Sequence, residues 1–136
     1  MNVLVVCEYS ARVRDAFRAK GHNAWSCDLL PTDGDPQWHY QEDCFEALKR
    51  QEWDLVIAHP PCTYLSNAGI RWFDENRYGD NARKRKELRL EAMTFVDKIW
   101  NCDVDKLCIE NPVGYLNKNW KKTIANNRAF SFWRRA

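Results

Sequence analysis

Four short runs of apolar and β-branched residues divide this chain, and each has the length of one strand. They occupy residues 2–7, 23–27, 55–58 and 106–109. Apolar runs that lack polar alternation are typical of strands covered on both faces, as in a parallel sheet. The pattern therefore predicts at least four buried parallel strands.

Helix-like segments separate these runs, at residues 10–20, 44–50 and 84–100. Ser10 is a candidate N-cap for the first helix, and Gly21 is suited to end it. Strands that alternate with helices are typical of an α/β fold with right-handed crossovers. We expect a three-layer, Rossmann-like architecture with a mostly parallel sheet.

Two segments do not follow this alternation. Residues 63–81 form a long polar and aromatic loop, and loops of that length in compact domains are usually functional. Residues 117–136 are basic, and their pattern gives no strand. We therefore predict one domain over residues 1–116 and a basic C-terminal tail over 117–136, with the later strands of a full sheet missing or rearranged.

Composition narrows the class of protein. The chain has 136 residues, which suits one small domain, and a net charge of +2, which does not by itself indicate a polyanion partner. Its six cysteines contain no CxxC pair and no zinc-ligand spacing. Neither a signal peptide nor a membrane-length apolar stretch is evident. We expect a cytoplasmic protein with reduced thiols, without metal and without membrane contact.

The third apolar run stops at two prolines, which cannot continue a central strand because they lack the backbone donor. Cys62 follows at once, so its thiol lies on a stiff turn at the sheet edge where α/β proteins bind ligands. A thiol there is a candidate nucleophile, although a buried structural cysteine is the plainer interpretation. His59 either orients this turn or contacts substrate. Glu110 and Asn111 follow the fourth run in the same way.

Several segments together resemble the cytosine-C5 DNA methyltransferase group, and specifically its short phage and prophage members. They read CEYSARVRDAFRAKGH, SCDLLP, WDLVIAHPPCTYLSNAG and IENPVG, and they span residues 3–114. In that group a Pro-Cys dipeptide supplies the nucleophile and a later Glu-Asn dipeptide contacts the target base. Here Pro61-Cys62 and Glu110-Asn111 match these dipeptides in the same order.

The resemblance implies an S-adenosylmethionine-dependent methyltransferase that acts on cytosine C5 in DNA through a covalent Cys62 adduct. Cysteine addition to C6 would make C5 nucleophilic, and Glu110 would act as the acid at ring N3. Asn111 would shape the catalytic loop. In a phage-derived protein this reaction takes place in the host cytoplasm.

The resemblance also implies binding residues. For the cofactor they are Glu8, Tyr9, Ser10, Asp28, Leu29, Asp43 and Pro60, and for the substrate Pro61, Thr63 and Arg71. Asp28 would bind the ribose hydroxyls and Asp43 would lie near the adenine amino group. A solvated strand-end acid and a helix N-cap are the plainer interpretations of these two residues. Ala11 stands where the group has glycine.

The group's target-recognition domain, its later arginine motif and its final helix are not visible, so we expect a truncated member. Two rival functions stay open. One is a catalytically inactive remnant that binds nucleic acid or a partner protein, and the other is an enzyme that modifies free pyrimidine nucleotides. An uncovered sheet edge would also favour a homodimer.

Basic and aromatic residues after Cys62 have two interpretations each. The run at residues 83–86 is either a solvated helix face or a phosphate contact. Trp72, Phe73 and Tyr78 either stack on a base or pack against the core as a lid.

Overall fold

The computed structural model describes residues 1–120 and the backbone of residues 129–135. Its strands are β1 Asn2–Val6, β2 Asn23–Asp28, β3 His39–Gln41, β4 Leu55–Ala58, β5 Lys106–Pro112 and β6 Ala129–Arg135. Its helices are α1 Arg12–Ala19, α2 Cys44–Leu48, α3 Glu75–Trp100 and α4 Tyr115–Asn119, with 3₁₀ helices at Pro36–Trp38 and Asn67–Phe73.

One sheet joins these strands in the order β3-β2-β1-β4-β5-β6. The first five are parallel, and β6 is antiparallel to β5. The predicted α/β class is confirmed, and the parallel part is consistent with a Rossmann-like fold. Because β2 and β3 add on one side of β1 and β4 adds on the other, the topological switch point lies between the carboxyl ends of β1 and β4.

Helices cover both faces of the sheet. Val3 and Val5 of β1 pack on one face against α1, through Val13 and Phe17. The alternate residues of β1 belong to a larger core with α2 and α3, and this core includes Leu4, Val6, Ala47, Val96 and Ile99. Burial on both faces explains why the first run is continuously apolar.

The helices α1 and α3 begin at residues other than those that the hydrophobic pattern predicted. α1 begins at Arg12, and its N-cap residue is Ala11 without a side-chain cap. α3 begins at Glu75, well before residue 84, and has a break at Gly79, whose φ is 49°. The first turns of α3 are mostly exposed, so they have no apolar period to reveal them. Much of the predicted 63–81 loop is therefore helical.

The sheet has two strands that the pattern did not give. β3 is only three residues long and pairs with β2. β6 lies in the basic tail and pairs along β5 from Lys106↔Arg135 to Pro112↔Ala129. Such pairing depends on a neighbouring strand rather than on the local hydrophobic pattern, so the pattern predicted neither β3 nor β6. The rest of the tail, residues 121–128 and 136, lies outside the described residues.

Candidate functional site

A cavity of about 380 Å³ opens at the carboxyl edge of the sheet, beside the switch point. Its wall combines the ends of β1 and β2, the start of α2, the loop after β4 and one side of α3. The wall includes five of the residues predicted from sequence, namely Asp28, Leu29, Asp43, Pro61 and Thr63. This volume is typical of small-molecule and cofactor sites.

The cavity wall is largely apolar and carries acidic residues. The described residues that line it include Asp28, Glu42, Asp43 and Glu91, and no lysine or arginine. Arg50 binds Glu42 through two bonds of 2.6 and 3.0 Å, and these bonds lower the pKa of Glu42. The other carboxylates have no such ion pair among the described residues. The described wall therefore offers no cationic side chain to a phosphate.

Asp28 and Asp43 each use one carboxylate oxygen for local structure. Asp28 Oδ1 accepts from the Leu30 backbone N–H at 3.0 Å. Asp43 Oδ1 accepts from the Phe45 N–H at 2.8 Å and caps α2. The cap interpretation of Asp43 is confirmed, and each residue still has a second oxygen that no bond to the described chain occupies.

Three thiols, which the sequence analysis did not select, also line the cavity: Cys7, Cys27 and Cys44. The Cys7 thiol donates to Cys44, which raises the pKa of Cys7 and lowers the pKa of Cys44. Burial raises the pKa of Cys27 to about 12. Cys7 and Cys27 therefore stay neutral near pH 7. Their spacing in the sequence gives no sign that they converge.

The turn between β1 and α1 takes a different form from the predicted one. Glu8 is buried, and its carboxylate accepts from the backbone N–H groups of Val13 at 2.7 Å and Arg14 at 3.2 Å. Glu8 thus caps α1 in place of Ser10, whose hydroxyl only approaches the Glu8 carboxylate at 3.4 Å. Glu8, Tyr9 and Ser10 are not among the cavity-lining residues.

Ala11 occupies a backbone conformation that glycine usually takes. Its φ is 63°, in the left-handed region, and Cys7 at the other end of the turn has a φ of 59°. Ala11 is buried, and a Cβ on Gly34 would lie 2.6 Å from the Ala11 Cβ. Gly34 in the following loop therefore leaves the space that the extra methyl group of Ala11 needs.

Cys62 lies in the loop after β4, half-buried and adjacent to two residues of the cavity wall, Pro61 and Thr63. Its carbonyl accepts from the N–H groups of Leu65 at 3.0 Å and Ser66 at 2.9 Å, which form a tight turn. The thiol is a free cysteine and is not sealed in the core.

Backbone hydrogen bonds join the loop after β4 to the segment after β5. Asn67 N–H donates to the Val113 carbonyl at 3.0 Å, and Tyr115 N–H donates to the Leu65 carbonyl at 2.6 Å. A Cβ on Gly114 would lie 2.0 Å from the Leu65 oxygen, so only glycine fits this approach. We call residues 62–67 and 111–115 the loop pair.

Asn111 also stabilises the loop pair, through a buried hydrogen bond. It is 1% exposed, and its Nδ2 donates to the Pro60 carbonyl at 3.1 Å. Its Oδ1 is buried and has no hydrogen-bond partner among the described residues. The Glu-Asn dipeptide is therefore attached directly to the Pro-Pro-Cys turn, although Pro60, Cys62, Glu110 and Asn111 are not among the residues that line the cavity.

His59 and Glu110 lie just before the two loops and contact each other. Ala58 pairs with Ile109 in the sheet, so the next residues of both strands lie side by side. His59 Nδ1 lies 2.8 Å from Glu110 Oε2, and the Glu110 side chain is 39% exposed. His59 Nε2 is buried and has no hydrogen-bond partner in the part of the chain that the structure describes. His59 thus orients Glu110, while Glu110 keeps a surface that a ligand can reach.

Arg71 lies farther out, in the 3₁₀ helix Asn67–Phe73, where it is exposed and lies 4.7 Å from the Trp72 ring centroid. In the basic run, Arg83 lies 3.0 Å from Asp80, and both Arg83 and Lys86 pair with Glu75. Arg83 and Lys86 therefore form ion pairs on the surface of α3, in agreement with the interpretation of residues 83–86 as a solvated helix face.

Among the residues that the structure describes, no group of three or more His, Cys, Asp or Glu side chains could hold a metal ion. No helix in this part of the chain combines the length and apolar character that crossing a membrane requires. In comparisons with known proteins, no family model and no curated protein matches this chain.

Proposed function

We propose that this protein is an S-adenosylmethionine-dependent methyltransferase that acts on cytosine C5 in DNA through a covalent Cys62 adduct. The observation that carries the proposal is the loop pair at the switch point. It attaches the Pro-Pro-Cys turn to Glu110 and Asn111, which the resemblance assigns to one reaction, and it adjoins the acidic cavity.

The cavity supports this cofactor over a dinucleotide. S-adenosylmethionine carries a sulfonium and an ammonium group, which suit a wall with four carboxylates. A dinucleotide would place its pyrophosphate at the N-terminus of the first helix, but the Glu8 carboxylate already accepts from those amides. Asp28 and Asp43 would hold the ribose and adenine through their second carboxylate oxygens. The bound cofactor would supply an electrophilic methyl group.

Cys62 and Glu110 would perform the steps at the base. The Cys62 thiolate adds to C6, forming an S–C6 bond and moving the C5=C6 electron pair toward C5, while Glu110 gives a proton to N3. After C5 has gained a methyl group, a solvent water molecule takes the C5 proton, the C5=C6 double bond re-forms and the thiolate is expelled. The N3 proton then returns to Glu110, so the residues end as they began.

Neighbouring residues would position these two groups. His59 engages one Glu110 oxygen, Oε2, and leaves Oε1 for the ring. Asn111 holds the Pro60 carbonyl and so fixes the turn that presents Cys62. Such positioning supports catalysis because small displacements of a nucleophile reduce the rate steeply.

Covalent trapping tests the nucleophile. The protein is mixed with labelled S-adenosylmethionine and DNA containing 5-fluorocytosine, which blocks the final proton loss, and adducts that survive denaturation are measured. We expect an adduct in the wild type and in Cys102→Ala, a matched half-buried cysteine outside the site. Cys62→Ala should lose the adduct and reduce methyl transfer to normal DNA by at least about 1,000-fold. An adduct that persists in Cys62→Ala would refute the proposed nucleophile.

Calorimetric titration tests the cofactor separately from the base. We expect Asp28→Asn to weaken S-adenosylmethionine binding by roughly tenfold, because one charged hydrogen bond is weakened. Asp33→Asn, an exposed acid outside the cavity wall, should bind like the wild type. Absence of binding to the wild-type protein would favour the inactive remnant. Methyl transfer to free dCMP but not to DNA would favour the free-nucleotide enzyme.

A further inference from the structure

Two arginines of α3, Arg85 and Arg89, lie one helical turn apart and have no ion pair among the described residues. Their neighbours Arg83 and Lys86 instead pair with Glu75. The four cations therefore divide into a compensated pair and an uncompensated pair on the same helix.

Aromatic rings hold the uncompensated pair in place. The Arg89 guanidinium lies 3.4 Å from the Phe73 ring centroid and 4.3 Å from that of Tyr115. Arg85 lies 5.0 Å from the Tyr64 centroid and 5.3 Å from that of Phe73. Stacking fixes the planar faces of a guanidinium and leaves its N–H edge available for a bidentate anion.

This arrangement is electrostatically unfavourable by itself. Like charges four residues apart on a helix repel each other, and partial burial lowers the pKa of Arg89, with a smaller contribution from Arg85. Arg85 Nε is buried and has no hydrogen-bond partner in the described chain. Within the same part of the chain, Arg89 bonds only through its Nε, which donates to the Tyr64 carbonyl at 3.0 Å. An anion bound by the terminal nitrogens would offset this repulsion.

The arginine pair adjoins the candidate active site. Tyr64, which contacts both arginines, lines the cavity and follows Cys62 by two positions. Tyr115 belongs to the loop pair. A Cβ on Gly69 would lie 3.1 Å from Arg85 Nη2, so the loop after Cys62 also passes close to Arg85.

We propose that Arg85 and Arg89 form a phosphate site that binds the backbone of a cytosine-containing nucleic acid beside Cys62. The pyrimidine in this inference rests on the proposed function, but phosphate binding itself needs no methyl transfer. The same chemistry would accept the phosphate of a free nucleotide, and the experiment separates the two sources.

The test measures anisotropy of a labelled, cytosine-containing single-stranded oligonucleotide without S-adenosylmethionine, at several salt concentrations. Arg85→Gln should weaken binding, and Arg85→Gln/Arg89→Gln should weaken it by roughly tenfold or more at low salt. Each lost phosphate contact should reduce the slope of log K against log salt by about 0.7. Arg83→Gln removes the same charge from the same helix and should change binding by less than about twofold.

Loss of folding would not imitate this result, because Arg85 makes no hydrogen bond to the described chain and Arg85→Gln should keep the wild-type melting temperature. Equal weakening by Arg83→Gln, or unchanged binding in the double variant, would overturn the site. If dCMP displaces the labelled oligonucleotide from the wild type but not from Arg85→Gln, the site binds free nucleotide. If only unlabelled oligonucleotide displaces the probe, the site binds the nucleic-acid backbone. The binding measurement uses neither methyl donor nor turnover, so failure of methyl transfer leaves this result intact.

Discussion

The carboxyl edge of the sheet has two halves of opposite character. The half built from β1, β2 and β3 is acidic, and local caps and turns already use one or more oxygens of Glu8, Asp28 and Asp43. The half built from β4, β5 and α3 is held by backbone bonds between loops. It contains buried polar atoms, on His59, Asn111 and Arg85, that have no hydrogen-bond partner within the described residues.

Under the proposed function, this difference would let one small edge serve two ligands. A cationic donor would suit the half with the acidic residues, and an anionic nucleic acid would suit the arginine pair on the other half. Opposite charges would keep each ligand out of the other's place. The turn that contains Cys62 lies at the boundary, because its neighbours Pro61 and Thr63 belong to the cavity wall and its following residues belong to the loop pair.

The largest effect should come from breaking the loop pair with Gly114→Ala. The new Cβ would meet the Leu65 carbonyl and the Ser66 Cα, which are backbone atoms that cannot rotate away. We expect a loss of about 3 kcal/mol in the free energy of unfolding, measured by urea denaturation. The second half of the edge should lose its order.

Gly69→Ala is the matched control for this variant. Its Cβ would meet the end of the flexible Arg85 side chain at 3.1 Å, so a small shift should relieve the contact. A stability loss as large as that of Gly114→Ala would show that the close approach at Gly114 is not what holds the loops together.

Glu8→Ala should have the next largest effect, and it acts on the acidic half. It leaves two backbone N–H groups at the start of α1 without their buried acceptor. We expect a loss of about 2 kcal/mol in the free energy of unfolding. Ser10→Ala, which alters the cap expected from sequence, should change stability by less than about 0.5 kcal/mol. A larger loss of stability in Ser10→Ala than in Glu8→Ala would show that Ser10, not Glu8, caps α1.

The smallest effect should be the pH response of Arg50→Gln. Arg50 lowers the pKa of Glu42 below its ordinary value of 4.5, so this pair stabilises the fold above that pH. The stabilisation is lost as pH falls through the lowered folded pKa of Glu42. In urea titrations at pH 7 and pH 3, Arg50→Gln should therefore lose less stability on acidification than the wild type.

Removing Arg50 also makes the cavity more acidic, because Glu42 lines its wall. Binding of a cationic donor at low salt should be unchanged or tighter in Arg50→Gln. Weaker binding would contradict the assignment of the acidic half to a positively charged ligand.

Much of the architecture could be read from the sequence, because burial on both faces leaves a continuous apolar run. The runs at residues 2–7 and 55–58 became β1 and β4, and Gly21 ends α1 with a φ of 80°. The two prolines correctly placed the end of β4. Short or exposed elements such as β3 and the first turns of α3 have no such pattern, and they were not predicted.

The candidate site was only partly predictable. Prolines and apolar runs placed Cys62 just after β4, but they ended the fourth run at Ile109, whereas Glu110 and Asn111 lie within β5 and pair with β6. The contact between His59 and Glu110 depends on the register of β4 against β5, and register is decided by pairing between distant segments. Convergence of Cys7, Cys27 and Cys44 on one cavity likewise depends on strand order.

The sequence by itself determined the α/β class, the end of β4 and the chemical groups available near the sheet edge, since these follow from local hydrophobicity and from the backbone limits of proline and glycine. Only the tertiary structure decided that β5 continues through Glu110 and Asn111 to Pro112, and which side chains form hydrogen bonds or ion pairs within the described chain. It assigned Glu8 rather than Ser10 to the start of α1, and it gave Arg83 an ion pair that Arg85 does not have among the described residues. The physical reason is that hydrogen bonds and ion pairs depend on distances between segments, which local sequence does not contain.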